Sequence, residues 1–303
     1  MPPQIPAAAR LPLGLTTMND DEISRDLSGK TMIISGGSRG IGLAIALKVA
    51  ADGGNVALLA KTAEPHPKLD GTVFTAAREI EDAGGVALPI VGDVRNDEDI
   101  ANAVARTVER FGGIDICVNN ASAINLAGPD QLPMKAYDLM QDINVRGTFA
   151  LTKACLPHLR MSDNGHVLTL SPPISLEPRW LAPHTAYTMA KYGMTLAALG
   201  FAEELRGDGV ASNALWPRTL VATAAVQNLL GGDEAMKMSR TPAVYADAAY
   251  EVLTRNSRDC TGETLLCEDV LKASGVTDFS VYAADGEGSK LGVDLFVDSV
   301  DPA

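Results

Sequence analysis

The chain has 303 residues, of which 46% are hydrophobic and 21% are charged, and its formal net charge is -13 at pH 7. This length and apolar content suffice to bury one sizeable core, so we predict a single globular domain with extensions at its two ends. The sequence has no cluster of lysine and arginine and no apolar run of about 18 residues, so we expect no nucleic-acid partner and no membrane span.

The first predicted region is a flexible N-terminal extension at residues 1–26, which is rich in proline and alanine. Arg10 and Pro12 interrupt its apolar stretch, which makes it a poor signal peptide. The folded domain is predicted at residues 27–269. A C-terminal extension at residues 270–303 is acidic and contains a turn-rich break, and we expect it either to wrap a neighbouring subunit or to remain loose.

From Lys30 onward, short apolar runs rich in β-branched residues alternate with amphipathic segments. This alternation is typical of parallel strands whose two faces are covered by crossover helices. The predicted fold class is α/β, a Rossmann-type doubly wound parallel sheet of seven strands with helices on both faces, in a single domain. The strands are predicted at residues 31–35, 56–60, 87–91, 114–119, 167–171, 211–215 and 264–267.

A glycine-rich turn follows the first predicted strand directly and leads into a helical run. Glycine allows the backbone to turn tightly and to approach a pyrophosphate, whose charge is met by free N–H groups at the helix N-terminus. The order of strand, glycine turn and helix therefore predicts a dinucleotide-binding loop. Its candidate cofactor-binding residues are Gly36, Ser38, Arg39, Gly40, Ile41 and Gly42.

The end of the second strand indicates which nicotinamide cofactor is bound. An acid at this position holds a ribose hydroxyl, whereas a base accommodates a 2′-phosphate. The sequence has Lys61 there, and Arg39 lies in the glycine turn, so NADP(H) is favoured over NAD(H). Glu64 follows closely enough to hold a ribose instead, which leaves NAD(H) open. At the end of the third strand, Asp93 and the adjacent Val94 are predicted to lie beside the adenine.

Tyr187 and Lys191 stand four residues apart, so on a helix both side chains lie on one face. A neighbouring cation favours the phenolate and brings a tyrosine closer to a pKa useful for proton transfer. Such a pair arises by chance in many chains of this length, so its weight depends on the segments around it.

Those segments occur in a characteristic order. The fourth strand ends in Asn119-Asn120-Ala121-Ser122, and Asn144 follows within the next predicted helix. With the glycine turn, the tyrosine–lysine pair and Pro217 after the sixth strand, the chain resembles the short-chain dehydrogenase/reductase family over residues 27–269. A closer similarity, to the hydroxysteroid dehydrogenase-like proteins, is carried by residues 60–68, 170–173 and 213–219.

The resemblance implies an oxidoreductase that interconverts a ketone and an alcohol by hydride transfer. Tyr187 would be the proton donor and acceptor, Lys191 would hold the nicotinamide ribose and lower the pKa of the tyrosine, and Asn144 would order a water that relays protons. The remaining cofactor-binding residues implied by the resemblance are Asn120, Ala121, Pro217 and Thr219.

Four positions depart from the family pattern. Ser35 replaces the usual threonine, a mild change because a hydroxyl remains, and Ser122 stands where its motif ends in glycine. Arg218 stands where a glycine follows Pro217. Arg218 is interpreted as a partner for a phosphate or carboxylate of substrate or cofactor, or as an interface salt bridge. The serine that steadies the substrate oxygen in relatives is replaced by Pro172, which has no hydroxyl. Ser171 is preferred slightly over Ser175 as its substitute.

Apolar residues fall in segments that border the cleft in this family, which suits a small hydrophobic substrate of the fatty acyl, steroid-like or terpenoid kind. The same residues are equally suited to a subunit interface, and the resemblance implies a homodimer or homotetramer. Two other functions stay open: an enoyl-thioester reductase, and a catalytically silent dinucleotide-binding sensor or scaffold, which Pro172 supports. The apolar residues are Trp180, Leu181, Trp216, Leu229, Leu230, Met236 and Met238.

The four cysteines lie far apart, without a CxxC pair, which indicates packing in a reducing cytoplasm rather than disulfides. The four histidines show no metal-ligand spacing, so no metal site is expected.

Overall fold

The computed structural model describes residues 26–65, 71–229, 231–286 and 290–301. Residues 1–25 of the predicted extension, residues 66–68 of the segment after the second strand, and Leu230 lie outside the described residues. Residues 287–288 of the turn-rich break in the C-terminal extension also lie outside them. Seven strands form one parallel sheet, in the order β3-β2-β1-β4-β5-β6-β7. They are β1 Thr31–Ser35, β2 Asn55–Ala60, β3 Val86–Val91, β4 Ile116–Asn119, β5 His166–Thr169, β6 Ala211–Trp216 and β7 Thr264–Leu266.

The helices lie on both faces of this sheet. One core cluster packs α1, α2, α10 and α11 against it, and a second packs α3, α5 and α7 against the opposite face. The predicted fold class is thereby confirmed. The helices are α1 Gly40–Ala51, α2 Val73–Asp82, α3 Asp97–Phe111, α4 Met134–Met140, α5 Gly147–Leu159, α6 Pro178–Leu181, α7 Thr185–Glu204, α8 Ala224–Leu229, α9 Gly232–Lys237, α10 Ala243–Leu253 and α11 Cys267–Ala273.

The strand order creates a crevice beside β1. The chain builds β1, β2 and β3 in one direction and then returns to add β4 on the other side of β1. In open α/β sheets, ligands bind outside the carboxyl ends of the strands at such a switch point. The ends of β1 and β4, with the loops that follow them, therefore define where a site is expected.

A π-helical turn, Gln141–Arg146, joins α4 to α5. Sequence periodicity predicts a plain helix here, and the structure differs, because a π turn closes its hydrogen bonds over five residues instead of four. Such turns are frequent at functional sites. Asn144, one of the candidate catalytic residues, is buried within this turn.

The last described segment, residues 290–301, is here called the C-terminal strap. It lies against its own chain beyond β6: Leu220 N–H donates to Gly292 O at 3.0 Å, and Asp294 N–H donates to Arg218 O at 3.0 Å. The expectation that the tail wraps a neighbour or stays loose is therefore wrong for this segment. The strap packs in this way because the apolar side chains of Leu295, Phe296 and Val297 join a core cluster, although the tail is acidic overall.

Within the described ranges, no helix is both long and apolar enough to cross a membrane. The same ranges contain no group of three or more histidine, cysteine, aspartate or glutamate side chains suited to hold a metal ion.

Candidate active site

One cavity of about 1120 Å³ lies in the crevice at the carboxyl ends of the strands. It brings together thirteen of the candidate residues, whereas Gly42, Asn144, Ser171 and Thr219 do not line it. The candidates that line it are Gly36, Ser38, Arg39, Gly40, Ile41, Lys61, Asp93, Val94, Asn120, Ala121, Tyr187, Lys191 and Pro217.

The glycine turn is packed against the end of β4. The Asn120 side-chain amide donates to the carbonyl oxygens of Ser35 and Gly36, each at 2.9 Å. The Ser35 hydroxyl accepts from the backbone N–H groups of Asn120 and Ala121. Serine thus keeps the hydroxyl that the usual threonine would supply. These bonds fix the turn and leave the first N–H groups of α1 facing the cavity, where they suit an anion.

Glycine is required at two positions of this turn. Gly36 has φ +70, and a Cβ there would lie 2.9 Å from the Asn120 amide nitrogen. At Gly42 a Cβ would lie 2.6 Å from that nitrogen and 2.8 Å from Gly36 O. Gly42 therefore belongs to the site as the close contact beneath the turn, although it does not line the cavity.

A Gly42→Ala substitution should push the turn away from Asn120. We expect the affinity for NADPH to fall at least tenfold and the stability to fall by about 2 kcal/mol, the usual cost of overpacking. Gly200→Ala is the matched control, because nothing lies within 4 Å of a Cβ at that helical position. The control should bind normally and gain about 0.5–1 kcal/mol from helix propensity. Cofactor fluorescence titration and urea unfolding measure both quantities, and unchanged binding by Gly42→Ala would refute the assignment of the turn.

Charged side chains surround the other end of the cavity. Asp93 accepts hydrogen bonds from Arg95, the shortest 2.6 Å, and its carboxylate lies 3.4 Å from the Lys61 ammonium. The hydrogen bonds from Arg95, with the charge of Lys61, lower the pKa of Asp93 to about 2. The Arg39 guanidinium donates to Gly71 O at 2.6 Å. Two cations, Lys61 and Arg39, and one ionised carboxylate thus line this end.

These features fit a nicotinamide dinucleotide. The turn forms a cradle that a Cβ would fill, the start of α1 suits a pyrophosphate, and cations flank the far end. The cavity is also at the upper end of the volumes usual for small-molecule sites.

The tyrosine–lysine pair lies on α7, at the centre of the cavity wall. The Lys191 ammonium donates to Leu170 O at 2.9 Å and lies 5.0 Å from the centre of the Trp216 ring. Burial lowers the pKa of Lys191 to about 7. Burial also raises the pKa of Tyr187, and the charge of Asp294 raises it further. This differs from the expectation that Lys191 lowers the pKa of Tyr187, because burial of the phenol is the largest cause of its shift.

Asn144 and the candidate serines lie behind the cavity wall. The Asn144 side chain accepts from Ala123 N–H at 2.7 Å and donates to Ala123 O at 3.1 Å, which holds the loop after β4. Ser171 is fully buried, and its hydroxyl has no hydrogen-bond partner among the described residues. The hydroxyl of Ser175 accepts from Glu177 N–H at 3.3 Å. Neither serine lines the cavity, and strand β5 ends at Thr169, two residues earlier than predicted.

Arg218 does not line the cavity, and its side chain pairs within its own chain instead of facing a cofactor or substrate. The alternative of an interface salt bridge stays a prediction. Its guanidinium binds Asp269 through two hydrogen bonds of 2.7 Å and contacts Ser299 of the strap. The adjacent Thr219 is fully buried, and its hydroxyl donates to Glu268 at 3.3 Å. Both residues therefore anchor the segment after β6 to α11.

The strap adds residues to the site that the sequence did not indicate. Asp294 and Leu295 line the cavity, and the Phe296 ring lies 6.2 Å from the Tyr187 ring. The available signal was the apolar triplet at residues 295–297 within an acidic tail. Its partner Trp216, whose Nε1 donates to Leu295 O, lies 79 residues away, so no local pattern reveals the contact.

The chain is similar to known proteins over most of its length. The family model described as short chain dehydrogenase matches residues 30–232. Hydroxysteroid dehydrogenase-like protein 2 of Danio rerio is 55% identical over 272 residues, which cover 90% of this chain and 65% of that protein. The chain thus spans less than two thirds of the length of this curated relative.

Solved structures give the same result. A short chain dehydrogenase of Mycobacterium thermoresistibile is 69% identical, with a TM-score of 0.86, over 91% of this chain and 98% of that chain. A metagenomic short-chain oxidoreductase in complex with NADP is 27% identical, with a TM-score of 0.65, over 80% of this chain and 98% of that one. The chain belongs to the short-chain dehydrogenase/reductase family, and the resemblance seen in its motifs is confirmed.

Proposed function

We propose that this protein is an NADP(H)-dependent oxidoreductase that interconverts a ketone and an alcohol on a small hydrophobic substrate. The observation that carries the proposal is the position of Tyr187 and Lys191, which line the same cavity as the glycine turn. A cofactor held by the turn and a substrate beside the tyrosine would share one cavity.

Each group in the site then has a chemical task. The N–H groups at the start of α1 bind the pyrophosphate, and Lys191 orients the nicotinamide ribose. When bound, the nicotinamide supplies a hydride in reduction and accepts one in oxidation. The Tyr187 hydroxyl gives its proton to the substrate oxygen in reduction and takes it back in oxidation. Asn144 fixes the loop after β4 and, with the π turn, orders a water through which the proton is replaced.

The preference for NADP(H) rests on Lys61 and Arg39, the two cations at the far end of the cavity. A 2′-phosphate there accepts charge-assisted hydrogen bonds, which the ribose hydroxyl of NAD(H) cannot match. The similar oxidoreductase solved with NADP supports this choice.

Replacing Lys61 with alanine should therefore weaken NADP(H) selectively. We expect its dissociation constant to rise at least tenfold, or about 1.4 kcal/mol, while that of NAD(H) changes little. Lys30→Ala is the control, because Lys30 precedes β1 and so lies at the amino ends of the strands, whereas Lys61 follows the carboxyl end of β2. A wild-type protein that binds NAD(H) more tightly than NADP(H) would contradict the preference.

The hydrophobic substrate is inferred from the apolar residues that face the cavity around the catalytic pair. They come from the loop after β4, the π turn, the segment after β6 and the strap. Reduction of a panel of ketones of increasing apolar area, with NADPH consumption as readout, tests the inference. Those apolar residues include Ile124, Ile143, Val221, Val226, Leu229, Met236 and Leu295.

A homodimer or homotetramer is also proposed. Phe149 on α5 and Leu196 on α7 are 52% and 61% exposed, and we infer that a second copy of the chain covers them. Light scattering measures the mass of the assembly in solution.

The four cysteines are free and buried, which fits the reducing cytoplasm expected from the sequence, and that location stays a prediction.

A further inference from the structure

The strap brings a carboxyl group into the catalytic cavity. Asp294 lines the cavity together with Tyr187 and Lys191. Its backbone N–H donates to Arg218 O at 3.0 Å, and the carbonyl of the next residue accepts from Trp216 Nε1 at 2.9 Å. The Trp216 ring is also the one that lies 5.0 Å from the Lys191 ammonium. These contacts hold Asp294 beside the catalytic pair.

Phe296 fixes the position of the strap against the cavity. This residue is the one non-glycine position with a left-handed backbone among the described residues, with φ 70. Such a conformation costs about 1–3 kcal/mol and persists only where the surroundings determine it. The buried Phe296 ring packs between aromatic rings, with centres 6.2 Å from those of Tyr187 and Trp216 and 5.3 Å from that of Tyr192.

Carbonyl reduction places negative charge on the substrate oxygen, and donors aimed at that oxygen stabilise the charge. Tyr187 supplies one donor. The Lys191 ammonium already donates to a backbone carbonyl, Pro172 has no hydroxyl, and Ser171 and Ser175 do not line the cavity. The site thus has room for a second donor that none of these residues provides.

We propose that Asp294 is a catalytic residue of this site, whose protonated carboxyl group donates a second hydrogen bond to the substrate oxygen beside the Tyr187 hydroxyl. The inference rests on the proposed function, because it concerns the same reacting oxygen. A carboxylate only accepts hydrogen bonds, whereas a protonated carboxyl also donates one. An apolar environment can keep a carboxylic acid neutral at physiological pH for this purpose.

The electrostatics of the cavity favour the protonated form. Burial raises the pKa of Asp294 to about 7, although the hydrogen bond that its carboxyl accepts from Leu295 N–H at 2.7 Å lowers it. The charge of Glu268 raises the pKa further, and that of Lys191 lowers it. The donor is therefore present below about pH 7 and lost as the pH rises through that value. The titratable groups that face Asp294 are Tyr187 and Lys191 of α7, Tyr245 of α10, and Cys267 and Glu268 of α11.

Two substitutions of Asp294 distinguish a role as a hydrogen-bond donor from a role as a negative charge. Asp294→Leu removes the donor and should lower kcat about 100-fold, the usual effect of losing one such group. Asp294→Asn keeps an N–H donor, so it should retain most of the activity and lose the decline in reduction rate near neutral pH. Asp298→Asn is the control, because that strap residue is exposed and pairs with Arg179. The probes are 2-decanone, a 3-oxoacyl thioester and a trans-2-enoyl thioester, each with NADPH.

Thermal unfolding of the NADPH-loaded protein gives a readout that is independent of turnover. A carboxyl whose pKa is raised by folding stabilises the protein at low pH, and this stability is lost as the pH rises through the folded pKa. The Tm of Asp294→Asn relative to wild type should therefore increase between about pH 5 and about pH 8. A constant Tm difference over this range would mean that Asp294 is ionised throughout, which would overturn the proposal.

The kinetic outcomes separate the two hypotheses. If wild type reduces a probe and Tyr187→Phe does not, but Asp294→Leu matches wild type, the carboxyl has no catalytic part and the proposed function stands. A large loss in Ser122→Ala without one in Asp294→Leu would assign the donor to Ser122, whose hydroxyl also lines the cavity. Faster turnover in both Asp294 variants would show that the carboxylate opposes catalysis. No oxidation of NADPH with any probe would contradict the proposed function, and the inference with it.

Discussion

Replacing Tyr187 with phenylalanine should lower kcat about 1000-fold, within the range usual for loss of a general acid. The substitution removes one hydroxyl and keeps the ring that packs against Phe296 and His184. Binding of NADPH should change little, because the turn and the cations at the far end of the cavity are untouched. Stopped-flow NADPH oxidation and fluorescence titration measure the two effects separately.

Tyr192→Phe is a matched control for this experiment. Tyr192 lies on the same helix and packs against Phe296, but its hydroxyl donates to Ser175 O at 2.8 Å. Its loss should leave turnover within a small factor of wild type. Full activity in Tyr187→Phe would refute the proton donor. Equal losses of kcat in Tyr187→Phe and Tyr192→Phe would indicate that the Tyr187 hydroxyl supports the packing of α7 instead of donating a proton.

The second large effect concerns stability. Glu268 is fully buried, and its carboxylate accepts from Arg240 at 2.7 Å and from Arg218 N–H at 2.7 Å. A Glu268→Ala substitution leaves the buried Arg240 without its counter-charge. Breaking a buried pair in this way costs about 3–5 kcal/mol. We expect the midpoint of thermal unfolding to fall by about 10 °C.

Glu203→Ala provides the comparison. Glu203 pairs with Arg206 at the end of α7, where both side chains are largely exposed. Pairs of this kind contribute about 0–1 kcal/mol, so the control should unfold near the wild-type midpoint. If Glu268→Ala lowers the free energy of unfolding by less than about 1 kcal/mol, water or local movement must compensate the buried charge of Arg240. Urea unfolding at constant m-value measures both variants.

Local sequence patterns predicted much of the fold. Strand β1 was placed at residues 31–35 because a buried apolar run is bounded by Lys30 and by a glycine turn that cannot continue it. Helix α3 also follows local patterns, because acidic residues begin it, Ile100 and Val104 are buried at helical spacing, and the Asn96 side chain caps it. The bounds were less certain at β5, where Leu170 and Ser171 continue the apolar run but Ser171 N–H turns back to Thr169 O.

Contacts between distant segments were not predictable. Arg218 and Asp269 lie 51 residues apart, so the sequence places a cation next to the expected cofactor site and gives no sign of its partner within the chain. The pKa of Tyr187 depends on burial and on Asp294, which no spacing on α7 can indicate. The thirteen candidate residues that line the cavity were found because family motifs mark the strand ends. The strap was missed because its position depends on packing alone.

The π turn between α4 and α5 has a consequence for changes in chain length. It accommodates one more residue than an α-helix of the same span, so it is equivalent to a single-residue insertion absorbed without a loop. Deleting one residue between positions 141 and 146 would therefore restore regular α-helical winding and leave α4 and α5 in nearly their present register. The bulge that aims the Asn144 side chain at Ala123 would be lost, so the present pair of hydrogen bonds between these residues could not form. A one-residue deletion in this stretch should disturb the site more than the fold.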